Sequence, residues 1–146
     1  MKEIHTEIKI NASPSTVWKI LTNFNDYPRW NPFIKEISGN QQVESRIEAF
    51  IRPPNSKGMK IKPVILAYHP EKELRWLGRL WIPKLVDGEH SLIIDKIDEN
   101  KVLFIQKEKF TGLIVPLLSG MLKDTEDGFK MMNHALKIEA EANNNY

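Results

Sequence analysis

A helix start that runs at once into an aromatic, proline-containing segment constrains the fold of this chain most. Ser13 can accept hydrogen bonds from the free backbone N–H groups of a first helical turn, and Pro14 suits the first helical position. The following segment, residues 27–33, has too many prolines for a regular helix and too much aromatic surface for a solvated loop. Another part of the fold must cover this segment, so we expect an apolar cavity beside it.

Seven strands are predicted from the alternation of apolar and polar residues along the chain. They span residues 4–10, 34–37, 43–51, 59–65, 75–80, 90–97 and 102–110. We expect Pro63 to bulge the fourth strand and Asp87-Gly88 to turn the chain into the sixth. The short connections between them make an antiparallel meander.

A long helix is predicted near the end of the sequence. Apolar residues recur three and four apart over 118–136, so a helix over about 117–142 would present Leu122, Phe129 and Met132 on one inward face. The order of elements predicts one α+β domain over residues 1–146. We expect a curved antiparallel sheet wrapped around the last helix, two short helices after the first strand, and a ligand cavity between sheet and helix.

The composition excludes several classes of function. The chain has 21 Lys and Arg and 19 Asp and Glu residues that interleave, so no basic stripe is available for nucleic acid. Zero Cys excludes disulfides, thiolate catalysis and Cys-based zinc sites. The four His residues lack metal-ligand spacing, and no Gly-rich phosphate loop occurs. We therefore expect no metal, no cofactor and no nucleic-acid partner.

Two features of the sequence bear on localisation. The first residues lack the apolar region of a secretory signal, which predicts a cytoplasmic protein. The apolar run over 112–122 is shorter than the roughly 20 residues that cross a bilayer, and Pro116 interrupts it. We expect no transmembrane segment. The sequence leaves the oligomeric state open.

Glu108 is the main candidate for chemistry. Lys107 and Lys109 must face water, because burying an unpaired ammonium group is very costly, so Glu108 should face inward with Gln106. A buried carboxyl group can act as a general acid or base, orient a ligand, or only satisfy a structural partner. Its pKa should lie above that of a free Glu if desolvation dominates, and below it if a cation lies beside it.

His90 is the second candidate, and its position depends on the register of the last hairpin. A two-residue turn at Glu99-Asn100 would pair Ser91 with Glu108, whereas a three-residue loop would bring His90 opposite Glu108. The sequence leaves both registers open. In one of them His90 and Glu108 form a candidate acid–base pair, and otherwise His90 is exposed or structurally bonded.

Six short motifs together resemble one known superfamily. The motifs are Ala12-Ser13-Pro14-x-x-Val17-Trp18, Tyr27-Pro28-x-Trp30-Asn31-Pro32-Phe33, Leu74-x-Trp76-x-Gly78, Asp87-Gly88-Glu89-His90, Glu108-x-Phe110-x-Gly112 and Phe129-x-x-Met132-Asn133-x-x-Leu136-Lys137. They are similar to the START-like, or SRPBCC, helix-grip superfamily, and most closely to its bacterial polyketide cyclase/dehydrase-like branch. Members of the superfamily include hydrophobic-ligand carriers, coenzyme Q-binding proteins, aromatic polyketide cyclases and activators of heat-shock chaperones, so the resemblance implies the fold more narrowly than the function.

The leading functional prediction is binding of an apolar small molecule, such as a lipid or an aromatic or polyketide-like compound, in the internal cavity. Glu108 would orient this hydrophobic ligand, together with His90 in the register that places the two side by side. The residues expected to line the cavity are Trp30, Pro32, Phe33, Ile47, Ile61, Trp76, Leu80, Phe104, Glu108, Phe110, Leu122, Phe129 and Met132.

Two alternatives remain open at this point. A cyclase or dehydratase would use Glu108 and His90 as an acid–base pair. A protein-interaction module like the chaperone activators ranks third, because residues 27–30 do not match the tryptophan-rich variant of that branch well.

Overall fold

The computed structural model describes residues 2–79, 86–112 and 119–143. Its elements in chain order are β1 (Lys2–Ile10), α1 (Pro14–Thr22), a 3₁₀ turn (Phe24–Asp26), α2 (Tyr27–Trp30), β2 (Ile34–Ser38), β3 (Glu48–Ile51), β4 (Met59–Ile61), β5 (Val64–His69), β6 (Glu73–Arg79), β7 (Asp87–Asp98), β8 (Lys101–Thr111) and α3 (Ser119–Asn143). Five strands form an antiparallel sheet in the order β1-β8-β7-β6-β5, and β2-β3-β4 form a second, smaller sheet. The α+β helix-grip prediction is confirmed.

The helix start and the aromatic segment fold as one unit. The Ser13 hydroxyl accepts a hydrogen bond from the backbone N–H of Thr16 at 3.1 Å, as expected of a helix cap. The aromatic segment, residues 27–33, begins with the short helix α2, and its Tyr27 is fully buried with its hydroxyl donating to the Leu21 carbonyl at 2.6 Å. The Asn31 side-chain oxygen accepts from two following backbone N–H groups at 2.9 Å. These bonds fix the path of the chain into β2.

Two strand predictions are wrong in part. The strand expected over 43–51 begins only at Glu48, because Glu44 has a positive φ of 73° and Val43 is half exposed in a turn. The strand expected over 59–65 divides between the two sheets at Pro63, with β4 in the small sheet and β5 in the large one. Proline lacks a backbone N–H, so a regular ladder does not continue through it.

The turn predicted at Asp87-Gly88 is also wrong. Both residues lie in β7, where Asp87 pairs with Arg79 and Gly88 pairs with Gly78 of β6. A Cβ atom on Gly88 would lie 2.0 Å from a carboxyl oxygen of Glu108. Gly88 therefore provides space for a side chain on the neighbouring strand, and it is not needed here to reverse the chain.

The register of the β7–β8 hairpin combines the two alternatives left open by the sequence. Asp98 pairs with Lys101, so the turn has two residues, but the next pair is Lys96 with Val102. Ile97 is an extra residue that forms a bulge and shifts the pairing by one. His90 consequently pairs with Glu108 across the hairpin.

Helix α3 packs its buried face against the large sheet, at strands β1 and β8. Phe129 and Met132 are fully buried as predicted, whereas Leu122 is only partly buried at the edge of the core. The predicted first residues of this helix, 117 and 118, lie outside the described residues. Among the helices of the described ranges, none is long and apolar enough to cross a membrane.

Gly128 is a position where α3 packs closely against the aromatic segment. A Cβ atom there would lie 2.5 Å from the Phe33 ring, which is only 2% exposed and cannot move aside. We expect Gly128→Ala to lower the free energy of unfolding by about 1–2 kcal/mol, although Gly→Ala in a helix ordinarily stabilises by up to about 1 kcal/mol.

Gly120 on the same helix is the matched control, because a Cβ atom there would meet nothing within 4 Å. Gly120→Ala should leave stability equal or slightly higher in urea unfolding. Equal gains for both variants would contradict the close packing of Phe33 on α3.

Candidate functional site

A cavity of about 160 Å³ lies between the large sheet, the β3–β4 hairpin and the first turns of α3. Its walls are mainly apolar, with a few polar side chains contributed by the sheet, the β3–β4 loop and α3. The lining residues are Phe33, Ile51, Pro53, Ser56, Gly58, Met59, Ile61, Trp76, Gly78, Gly88, His90, Glu108, Phe110, Met121, Asp124 and Thr125. A small apolar space with few polar groups is typical of a site that binds a small molecule.

Glu108 faces this cavity from β8. The residues Phe104, Gln106, Glu108 and Phe110 are buried in alternation, and Lys109 between them is exposed, as the alternation predicts. The carboxyl group of Glu108 lies over Gly88 of β7. The missing side chain of Gly88 thus makes room for the only carboxyl group that β8 presents inward.

His90 lies beside Glu108 with its imidazole ring held on two sides. The ring stacks on Phe129 with the centroids 4.7 Å apart and meets Trp76 edge-on at 5.0 Å. Its Nδ1 is 3.7 Å from Oε1 of Glu108, which is too long for a direct hydrogen bond. Its Nε2 lies 2.8 Å from the side-chain oxygen of Gln106. These contacts fix the plane of the imidazole.

A chain of buried polar groups continues from His90 away from the cavity. The Gln106 side chain donates to Oδ1 of Asn133 at 2.7 Å, and Nδ2 of Asn133 donates to the Thr6 hydroxyl at 2.9 Å. The Thr6 hydroxyl in turn donates to the backbone carbonyl of Gln106 at 2.8 Å. All three side chains are buried. The sequence signal for this chain is three polar residues at inward positions of β1, β8 and α3, which the site prediction did not connect.

Burial sets the protonation of the two candidate residues. It raises the pKa of Glu108 to about 8, so the first of the two expected outcomes holds. Burial also lowers the pKa of His90 to about 4, against a smaller opposing effect of its hydrogen bond with Gln106. The 3.7 Å separation would suit an ion pair, but in this buried place neither charge is favoured. Near neutral pH the acid is therefore protonated and the imidazole is neutral.

The structure brings together only part of the predicted lining. Phe33, Ile61, Trp76, Glu108 and Phe110 line the cavity together with His90. The predicted residues that do not line it are Trp30, Pro32, Ile47, Phe104, Leu122, Phe129 and Met132. Leu80 lies outside the described residues.

The packing of residues 27–33 explains why two of the predicted lining residues do not reach the cavity. Only Phe33 reaches the cavity, because Trp30 packs edge-on against Tyr27 at 5.3 Å and Pro32 lies in a shallow surface groove beside α3. Phe129 lies one layer behind the lining, against His90. The site prediction also omitted the lining residues Pro53, Ser56, Gly58 and Met59 of the β3–β4 hairpin. The composition of this loop predicts a hairpin, but it does not indicate which part of the fold the loop packs against.

Within residues 2–79, 86–112 and 119–143, no three His, Cys, Asp or Glu side chains lie close enough together to bind a metal ion. The cavity offers a neutral acid and an imidazole, which suits hydrogen bonding to a ligand or proton transfer.

Solved structures share this fold at low sequence identity. The di-domain ARO/CYC BexL from the BE-7585A biosynthetic pathway matches with a TM-score of 0.78 and 14% identity over 100% of this chain, which spans only 48% of that protein. The Zhui aromatase/cyclase from Streptomyces sp. R1128 matches with a TM-score of 0.77 and 11% identity, over 96% of this chain and 93% of that one. A START superfamily protein from Mycobacterium smegmatis matches with a TM-score of 0.73 and 16% identity, over 96% and 97% of the two chains.

Comparison of the sequence with protein families assigns a family, whereas the solved structures show the fold alone. No curated protein matches the chain. The family model described as polyketide cyclase / dehydrase and lipid transport matches residues 1–137. The resemblance read from the six motifs is confirmed, and the chain belongs to the polyketide cyclase/dehydrase and lipid transport family.

Proposed function

We propose that the protein binds a compact apolar small molecule in the cavity, with the polar end of the molecule directed at Glu108 and His90. The observation that carries the proposal is the cavity itself, about 160 Å³ in volume and lined on most sides by aromatic and aliphatic side chains. A dry cavity of roughly 150 Å³ admits one benzene ring. The volume favours a single-ring compound over a long acyl chain.

The pair of polar side chains on the sheet side of the cavity, His90 and Glu108, supports orientation of the ligand. Two buried polar side chains, His90 and Glu108, lie side by side in a lining that is otherwise mostly apolar. A ligand that buries its ring and leaves these groups unpaired would lose their hydration without compensation. We therefore expect the bound molecule to carry at least one polar group.

A cyclase or dehydratase activity is the second candidate, and the pairing of His90 with Glu108 favours it. Glu108, protonated near neutral pH, would donate a proton to an oxygen of the substrate, and the imidazole of His90 would remove a proton. The two aromatase/cyclases with this fold agree with such a role. Glu108→Gln separates the two candidates, because a catalytic acid requires near-complete loss of turnover, whereas a ligand-orienting group allows part of the binding to remain.

Titration with toluene tests the apolar part of the proposed function, which is the binding of a single ring by the cavity walls. Toluene matches the cavity in size, and we expect it to perturb the NMR signals of lining residues such as Ile61 and Met59. Gly78→Leu should weaken this binding at least tenfold, because a side chain at this position of β6 extends from the cavity wall, and a Cβ atom there meets only ordinary contacts at 3.8–3.9 Å.

Gly120→Leu is the control for this experiment. It makes the same substitution in open space on α3, at a residue that does not line the cavity, and toluene should bind to it as to the original protein. Perturbations that are scattered over the surface, or that persist unchanged in Gly78→Leu, would show that the cavity is not the site.

A further inference from the structure

We infer that the buried chain of Thr6, Asn133 and Gln106 fixes His90 as the Nε2–H tautomer, and that its bare Nδ1 and the Glu108 carboxyl together recognise a hydroxyl group on the bound molecule. This inference rests on the proposed function, since it concerns His90 and Glu108 in the same cavity. It assigns a chemical class to the ligand and a positioning role to three residues outside the lining.

The direction of these hydrogen bonds follows from a backbone carbonyl, which can only accept. The backbone carbonyl of Gln106 has no proton, so the Thr6 hydroxyl must donate to it at 2.8 Å. The hydroxyl has no second proton, so it accepts from the Asn133 amide at 2.9 Å. The NH₂ group of Asn133 therefore points at Thr6, and its oxygen points at Gln106.

The direction of hydrogen-bond donation is also fixed between Asn133 and the imidazole. The oxygen of Asn133 accepts from the NH₂ group of Gln106 at 2.7 Å. This NH₂ group also lies 3.4 Å from the backbone carbonyl of Phe129, which likewise can only accept. Two independent backbone carbonyls thus demand the same orientation of the Gln106 amide, with its oxygen toward His90.

His90 must then carry its proton on Nε2, because that atom faces the Gln106 oxygen at 2.8 Å. A neutral imidazole has one N–H group, so Nδ1 presents a lone pair. In the described part of the chain, the structure gives no hydrogen bond to Nδ1 or to the Glu108 carboxyl, which are 3.7 Å apart. The third titratable side chain of the lining is Asp124 of α3, which accepts from Asn55 at 3.5 Å.

A hydroxyl group satisfies both unpaired groups at once. Its oxygen fits at about 2.8 Å from each atom, donates its proton to Nδ1 and accepts from the protonated carboxyl of Glu108. A ketone or ether has no proton for Nδ1. A carboxylate would place a second set of lone pairs against Nδ1 and bury a charge in a cavity that disfavours charge.

Two measurements on the original protein test the inference at pH 6.5. A long-range ¹H–¹⁵N correlation spectrum should show His90 with its proton on Nε2. Three probes of nearly equal size then compare the ligand classes by titration. Phenol should bind at least as tightly as toluene although water solvates its hydroxyl group, and benzoate should bind at least tenfold more weakly than phenol.

Gln106→Leu removes the acceptor of the Nε2 proton. We expect the His90 tautomer to shift toward Nδ1–H and the affinity for phenol, relative to that for toluene, to fall at least tenfold. Gln42→Leu makes the same change at an exposed position and should leave the tautomer and the preference as they are.

The outcomes separate this inference from the proposed function. An Nδ1–H tautomer in the original protein, or toluene binding tenfold more tightly than phenol, would overturn the inference and leave binding in the cavity intact. If none of the three probes perturbs the lining residues, the proposed function fails and the inference fails with it.

Discussion

Replacing Phe129 with Ala is expected to lower the free energy of unfolding by about 3–5 kcal/mol. The ring is 0% exposed, stacks on His90 at 4.7 Å and meets Phe33 edge-on at 5.4 Å. Phe129 does not line the cavity, so its removal opens a new void and does not merely enlarge an existing one. The full cost of a packed core position therefore applies, and equilibrium urea unfolding measures it.

Met131→Ala is the control for the Phe129 variant. Met131 lies on the same helix, but its side chain is 45% exposed, so its truncation should change stability by less than about 0.5 kcal/mol. The Phe129 variant should also move the NMR signals of the His90 ring, which loses its stacking partner. A loss close to zero for Phe129→Ala would remove Phe129 from the core and contradict the helix register.

Above about pH 6.5 stability should fall as the pH rises toward about 8, and Glu108→Gln should abolish most of this fall. The folded-state pKa of Glu108, about 8, lies above its ordinary value of 4.5, so the folded protein retains a proton that the unfolded chain releases. The carboxyl group therefore costs nothing below about pH 4.5, and its cost grows as the pH rises through 8. At about 1.4 kcal/mol per pKa unit, the total is roughly 3–5 kcal/mol.

Urea unfolding from pH 4.5 to pH 9 measures this effect as the difference between Glu108→Gln and the original protein. The lowered pKa of His90 makes both proteins less stable below about pH 6.5, and this contribution largely cancels in the difference. Glu99→Gln, which removes a carboxyl group with an 86% exposed side chain, is the control. Parallel pH profiles for Glu108→Gln and the original protein would show that Glu108 ionises as it does in solution.

The elements with strong local patterns could be predicted from the sequence. In β8 the exposed Lys109 and the apolar residues around it fix which face is buried, because an unpaired ammonium group cannot enter the core. The same reasoning placed Glu108 inward without a structure. The helix-grip fold followed from the order of elements and from motifs spread over most of the chain, and a family match over residues 1–137 supports it.

The pairing of the site could not be predicted, because it depends on a bulge. Ile97 is exposed and has no feature that distinguishes a bulged residue from a regular one. The lining contributed by the β3–β4 hairpin was missed for a related reason. Pro53, Ser56 and Gly58 have the composition of a solvated loop, and only packing against the rest of the fold places them at the cavity.

The bulge at Ile97 determines which residue of β7 lies opposite Glu108, because one extra residue near the hairpin turn shifts the pairing by one. Ile97 lies seven residues from His90, or roughly 24 Å along an extended strand. A family member that gained or lost one residue in this exposed turn could keep the same side chains and yet present a different one opposite the buried acid. Sequence variation at an exposed turn, roughly 24 Å from His90, is thus a route by which this scaffold can change the polar groups of its cavity without repacking its core.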